Sequence, residues 1–412
     1  MSIKLSSEVD LLQGVITHTP GPEVSLVSPE IKDELLFDDI IFEEYARVEH
    51  EQMLAIMQTA IPSLVIHEVR DLVIETFGQP DARAYFADLL IRNLPSENLA
   101  PVRDRLRELP PEALADFAIN GRVEALPDIT LYPSPNLLFT RDLAAVVGET
   151  IVVSKAAKKA RLRESLLMDT LVTFHPMYGE AREHAIYISG EDSIEGGDIL
   201  TVTEELVLIG MSERTTFSGL MHAANKLMER GVRQVLIIDI PKKRSSMHLD
   251  TIFTFCSKDE CVVYPPDILE RSNNVVSLTK AGEDGALQTQ LKPSLKVALE
   301  EALGHSFTFI NCGGLNKTAQ QREQWSDGAN TFALAPGVVI SYDRNVHTFR
   351  EMEKYGYDIV KGSAFVDKYK DGGFDISSCG KMVITFDGNE LCRGRGGARC
   401  MTQPFHRVPG AG

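Results

Sequence analysis

Three stretches of this 412-residue chain repeat one order of pattern. LLFTRDLAAVV is followed by a turn at Gly148-Glu149, the apolar TIVVS, a helix-composed stretch near 155–169, and LVTF. DILTVT is followed by ELVLIG, a helix over 217–230 that Gly231 ends, and QVLIID. NTFALAP is followed by GVVISYD, a helix near 346–354, and YDIV. Each reads as strand–turn–strand–helix–strand. Such a unit cannot bury its apolar face alone, so its recurrence restricts the chain to α/β modules that stack or close radially. An open α/β sandwich is the plainer alternative.

The remaining chain fits around these units. LQGVITHT (12–19) has the look of a strand, closed by Pro20-Gly21-Pro22. From Ile31 to Ile61 there is no Gly or Pro, and 41–60 is rich in Glu, Ala, Met and Gln, a helix that Pro62 stops. Val65 and Ile66 are strand-like. DLVIETF, ARAYFADLLIRNL and NLAPVRDRLRELPPEALADFAI then read as helical pieces with polar caps and breaking prolines. The expected division is an α/β body of residues 1–68 and 127–412, with 69–126 a helical insertion.

A net charge of −17 argues against nucleic acid as a partner, since that needs a basic surface. It favours a small cation if anything. Apolar residues at 43% and charged ones at 25% suit a soluble globular protein. The polar opening Met1 to Asp10 carries no leader pattern, and no apolar run approaches the ~18 residues of a membrane span. Six scattered cysteines without a CxxC pair fit free thiols in a reducing compartment, so a cytoplasmic location is expected.

Four places carry polar residues with chemical potential. Cys400 lies in RGGARCM behind glycines that let a backbone close over a ligand, and Arg395 and Arg399 flank it, which favours a thiolate. Asp142 ends the apolar LLFTRD. Glu195 and Asp198 bracket a Gly-Gly pair in IEGGD. His248 and Asp250 precede TIFTF, where alternation puts them on one side of an extended strand. Taken singly, each has a plain reading: an inert thiol, a turn-starting Asp, a solvated hairpin, a rim histidine with an acid beside it. Residue type leaves metal ligation by His248, Cys400 and the acids open, but the spacing is not that of a helical zinc site and forms no tight cluster.

Together they suit one chemistry. Carboxylates take paired N–H bonds from a planar guanidinium. Its central carbon is then fixed for attack by a thiolate, while a histidine protonates the departing nitrogen. A bound cation beside the thiol raises its thiolate fraction, so the substrate helps to activate the nucleophile.

With these residues the chain resembles the arginine deiminases of the guanidino-group-modifying (pentein) superfamily. The likeness runs through ELLFDDI (34–40), SPNLLFTRD (134–142), RLRESL (161–166), SIEGGDIL (193–200), IGMSERT (209–215), MHLDTIFT (247–254), EQWSDGANTFALAPG (323–337), YDRN (342–345) and GRGGARCM (394–401). The resemblance implies a five-bladed α/β propeller of ββαβ modules with an inserted helical domain. It implies L-arginine as substrate, hydrolysed to L-citrulline and ammonia without metal or cofactor, and a homo-oligomer. Cys400 is similar to the nucleophile that forms an amidino-cysteine, His248 to the general acid and base, and Glu195 to the acid that holds the histidine. Asp142 and Asp250 correspond to the pair gripping the guanidinium. Arg161 and Arg214, nineteen residues past Asp142 and Glu195, resemble with Asn136 the clamp on the α-carboxylate. Arg395 and Leu36 match covering positions, and Asp198 the second acid of EGGD.

Two features depart from the family. Residues 363–391 are longer than its usual connection, and GKMVITFDGNE reads as an extra hairpin over the site or at an oligomer contact. Arg399 stands where relatives vary between His and Arg. The other readings are an amidinotransferase, a dihydrolase giving ornithine and further ammonia, and a non-catalytic arginine-binding relative.

Overall fold

The computed structural model describes residues 2–93, 102–281 and 286–409. Leu94 and residues 98–101 of the expected helical pieces, and the last three residues, lie outside them.

Eighteen strands form five sheets among the described residues. In chain order they are β1 (Leu11–Thr17), β2 (Val65–Glu68), β3 (Ala144–Val147), β4 (Thr150–Val153), β5 (Ile186–Tyr187) and β6 (Ile199–Thr203). There follow β7 (Leu206–Met211), β8 (Gln234–Asp239), β9 (Phe253–Phe255), β10 (Glu260–Val263), β11 (Val275–Ala281) and β12 (Ala286–Lys292). The last six are β13 (Thr308–Asn311), β14 (Phe332–Ala335), β15 (Val338–Tyr342), β16 (Asp358–Lys361), β17 (Met382–Phe386) and β18 (Gln403–Val408).

One pairing rule holds in every sheet. A first strand runs antiparallel to a second, and the second runs parallel to a third: β3-β4-β5, β6-β7-β8, β9-β10-β13, β14-β15-β17 and β18-β1-β2. Parallel neighbours need a long crossover, and a helix supplies it in each unit. The helix Phe217–Glu229 shows why. Leu220, Ala223, Ala224 and Leu227 recur at helical spacing and are buried, and Thr216 accepts a hydrogen bond from the Gly219 N–H at 3.2 Å to cap the first turn. Two of the five units escaped the sequence reading. One is closed by β18 from the far end of the chain, and the other is interrupted by the β11–β12 hairpin, which extends a neighbouring sheet.

Helices Val69–Phe77, Pro80–Asn93, Arg103–Glu108 and Pro111–Asn120 follow β2. Their apolar faces share one core with β3, β4 and the helix Leu162–Phe174. Gly121 ends the last of them in left-handed conformation (φ 75°), and a Cβ there would lie 2.3 Å from the Leu131 carbonyl oxygen.

Four local expectations fail. LLFTRD forms 3₁₀ turns, not a strand, so Asp142 precedes β3. LVTF is the end of a helix, and its unit takes β5 as third strand. Leu249–Thr251 is a 3₁₀ turn, so strand alternation does not orient His248 and Asp250. Residues 382–386 make no hairpin: β17 lies between β15 and β16, parallel to both. The helix Gly362–Tyr369 that leads to it packs against the helix Glu43–Ala60, away from the site. Among the described residues no helix is long and apolar enough to cross a membrane.

Candidate active site

The segment entering the first strand of each sheet carries a polar residue toward one place. Asp142 precedes β3, Glu195 and Asp198 precede β6, and His248 and Asp250 precede β9. Asn330 precedes β14, and Cys400 precedes β18. Contacts link these segments in a ring. The Arg141 N–H donates to the Cys400 carbonyl at 3.0 Å, and the Cys400 N–H donates to Asn330 Oδ1 at 3.0 Å. Asn330 Nδ2 donates to the Asp250 carbonyl at 2.9 Å, and the Leu249 N–H donates to Asp198 Oδ1 at 2.8 Å. Gly196 closes the ring by packing on Arg141; a Cβ there would lie 2.2 Å from the Arg141 carbonyl oxygen. A Cβ on Gly197 would lie 2.8 Å from His248 Cγ and 2.9 Å from Asp142 Oδ1. The Gly-Gly pair is thus required by close approach.

His248 Nε2 sits 2.7 Å from Glu195 Oε2, and its Nδ1 is 3.6 Å from Asp142 Oδ1. Burial opposes its charge, but Asp142, Glu195 and Asp198 outweigh burial and push its pKa up to about 9. Burial would likewise raise Glu195; the bond and charge of His248, with Arg161 and Arg214, bring it down to about 2.

Cys400 is 3% exposed, and its Sγ lies 3.7 Å from Asp250 Oδ2. The flanking arginines do not act as expected. Arg399 is held by Glu8 and Asp250, and Arg395 stacks on the Trp325 ring 3.6 Å from its centroid. Burial, then Asp250, Asp142 and Asp327, push the thiol pKa well above its ordinary value. A cation bound among those acids is what would release the proton.

The residues expected at the substrate's other end converge as well. A narrow, nearly closed cavity of about 10 Å³ is lined by Leu36, Asn136, Asp142, Arg161, Arg214, His248, Arg395 and Cys400, with Phe139, Arg244, Met247 and Gly394. Arg161 bridges Asp142 Oδ2 (2.5 Å) and Glu164 Oε2 (2.8 Å), so it is tied to the acid expected at the guanidinium. Asn136 Nδ2 donates to the Leu35 carbonyl at 2.8 Å. Leu36 and Arg395 both have left-handed backbone, φ 66° and 64°, where bulky side chains are strained. Asp198 does not line the cavity. Its oxygens accept from Ser212 Oγ, Thr215 Oγ1 and the Leu249 N–H, which makes it a support for the His248 and Arg214 segments.

Unmet hydrogen-bonding capacity shows what the site is equipped to bind. Among the described residues Asp142 Oδ1, Asp250 Oδ1, Arg214 Nε and Arg395 Nε and Nη1 are buried without partners. Buried polar groups are seldom left so. Two acceptors and three donors remain for something cationic at one end and anionic at the other. Asp142, Glu195 and His248 also offer ligand atoms within 4.8 Å of one another, a cluster without Cys400 that their spacing concealed. Arg161 lies against both carboxylates, and the histidine carries its own proton, so the charge there is already matched.

The family model described as arginine deiminase matches residues 105–407. A Bacillus cereus arginine deiminase is 33% identical over 98% of each chain, and one from Listeria monocytogenes is 32% identical over 98% of each. The chain belongs to the arginine deiminase family. Solved structures show the arginine deiminase-like fold to be that of other pentein enzymes. A dimethylarginine dimethylaminohydrolase superposes with TM-score 0.51 at 15% identity, over 96% of this chain and 100% of that one. An amidinotransferase of saxitoxin biosynthesis from Microseira wollei gives 0.55 at 12%, over 98% and 97%.

Sequence reasoning about this arginine deiminase family member missed Asn330, Trp325, Glu8 and Asp327. The first, second and fourth lay in the quoted EQWSDGANTFALAPG; Glu8 carried no motif at all.

Proposed function

We propose that this chain hydrolyses L-arginine to L-citrulline and ammonia, as the family's name and the site chemistry together indicate. The observation that carries the reading is the pair of unpartnered buried oxygens, Asp142 Oδ1 and Asp250 Oδ1, beside His248 and Cys400. They take the substrate guanidinium. Arg214, Arg395, Asn136 and Arg161 face its α-carboxylate, which selects the amino acid over agmatine.

The guanidinium lowers the thiol pKa, the thiol proton passes to solvent as the substrate enters, and the Cys400 thiolate attacks the guanidino carbon. A C–S bond forms, His248 gives its proton to one nitrogen, and the C–N bond breaks to release ammonia. This leaves an amidino-cysteine held by the acids. Neutral His248 then removes a proton from water, the oxygen adds to the same carbon, and the C–S bond breaks to give citrulline and the free thiol. Glu195 holds the histidine oriented. Leu36 and Arg395 cover the reactants and must move to admit them, since Cys400 and His248 are almost wholly buried.

The five sheets, their common pairing rule and the ring of contacts support a five-bladed propeller, with 69–126 as its helical insertion and 1–68 with 127–412 as its body. A cytoplasmic homo-oligomer completes the reading; six free cysteines fit the compartment.

The test is a product assay on purified protein with L-arginine and no added metal, with Cys400→Ala alongside. Citrulline and ammonia in equal amounts from the wild type, and none from a folded Cys400→Ala, are expected. Ornithine, a new guanidino compound on adding glycine, or turnover by Cys400→Ala would each sink this reading.

A further inference from the structure

Guanidinium groups prefer a two-pronged grip on one carboxylate. Arg399, the residue before the nucleophile, is 1% exposed and stands between two carboxylates that compete for that grip. Glu8 wins it. Arg399 Nε donates to Glu8 Oε2 at 3.1 Å, and Nη2 donates to Glu8 Oε1 at 2.9 Å. Asp250 receives a single bond from Arg399, Nη1 to Oδ2 at 2.7 Å. The Ile199 carbonyl accepts a further Nη2 bond at 2.9 Å. Asp250 Oδ1 is left without a partner among the described residues.

Glu8 is itself fixed. Its N–H donates to the Thr201 carbonyl at 2.8 Å, and Arg141 Nη1 lies 3.7 Å from its Oε1. Burial would raise its pKa, but Arg399 and Arg141 hold it at about 2, so it stays charged at any working pH.

We propose that Glu8 is a positioning residue: by taking the fork of Arg399 it keeps the second oxygen of Asp250 open for the substrate guanidinium. The inference rests on the arginine reading above. Without the Glu8 charge, the Arg399 fork is free to turn onto Asp250. It would then cover Oδ1 and match the charge that keeps the Cys400 proton in place. One change thus weakens substrate binding and eases thiol ionisation together, a combination that general loosening of the fold does not produce.

The test compares wild type, Glu8→Gln and Glu8→Asp. Two quantities are read: KM and kcat for L-arginine, and the pH dependence of Cys400 alkylation by iodoacetamide without substrate, followed on the Cys400 peptide by mass spectrometry. Glu8→Gln should raise KM tenfold or more, with a smaller change in kcat, and shift the alkylation midpoint down by about one pH unit. Glu8→Asp, which keeps the charge, should return both toward wild type. A folded Glu8→Gln with wild-type KM and midpoint overturns the proposal. So does loss of the folded state in both variants by circular dichroism, which would reduce Glu8 to a folding contact. A wild type that releases no citrulline counts against the arginine reading, while the alkylation arm still decides the role of Glu8.

Discussion

Arg161 Nη1 lies 2.5 Å from Asp142 Oδ2, so a cation of the expected α-carboxylate clamp is bound to an acid of the expected guanidinium pair. The two ends of the cavity are mechanically joined. Arg161 also holds Glu164, whose buried carboxyl sits at about 7 because burial outweighs the pull of Arg161.

Arg161→Gln therefore leaves three buried acids short of a partner, with Glu195 the third at 3.8 Å. Breaking a buried pair costs about 3–5 kcal/mol. Urea unfolding should show a loss of that order, with kcat/KM reduced at least a hundredfold. Stability within 1 kcal/mol of wild type, at normal spectroscopic signature, would contradict the joined-ends picture.

His248 titrates in a window that can be worked out. Its folded value of about 9 lies above the ordinary 6.5, so its pairing contributes stability fully below about 6.5 and loses it as pH rises through about 9. kcat/KM for arginine should fall above about pH 9 as the imidazolium of the free enzyme is lost, and the Tm gap between wild type and His248→Gln should close over the same range. A gap unchanged from pH 6 to pH 10 would remove the basis for the general-acid role.

Among the described residues Arg214 has a buried Nε without a hydrogen-bond partner, and its guanidinium pairs with Glu195 at 3.9 Å and Glu213 at 4.0 Å. A charged hydrogen bond to the substrate carboxylate contributes about 1.5–3 kcal/mol. Arg214→Gln should lower kcat/KM for arginine about 10- to 100-fold while changing agmatine turnover far less. Equal losses on both substrates would place Arg214 outside the clamp.

Asp198 supports rather than binds. Asn at this position would turn an amide toward one of the donors now satisfied at Ser212, Thr215 or Leu249. Asp198→Asn should cost about 1–3 kcal/mol in denaturant unfolding and reduce kcat with KM little changed. A rise in KM alone would restore it to the substrate-binding set.

The sequence by itself determined the unit. Alternating short apolar runs and helical stretches dictate strand–turn–strand–helix–strand, because apolar periodicity and turn chemistry are local properties. It also supplied the chemical residues, since Cys, His and paired acids beside glycines are legible as types. Tertiary structure alone decided what each residue is bound to. Glu8 and Arg399 stand 391 residues apart, and His248 and Glu195 stand 53 apart. Strand alternation could not orient His248 and Asp250, because a 3₁₀ turn with no two-residue period begins at Leu249, between them. The tuning of Cys400 was misread for the same reason. The charge of a neighbouring arginine counts only after its own partners are known, and those partners, Glu8, Asp250 and Trp325, come from segments far away in the chain.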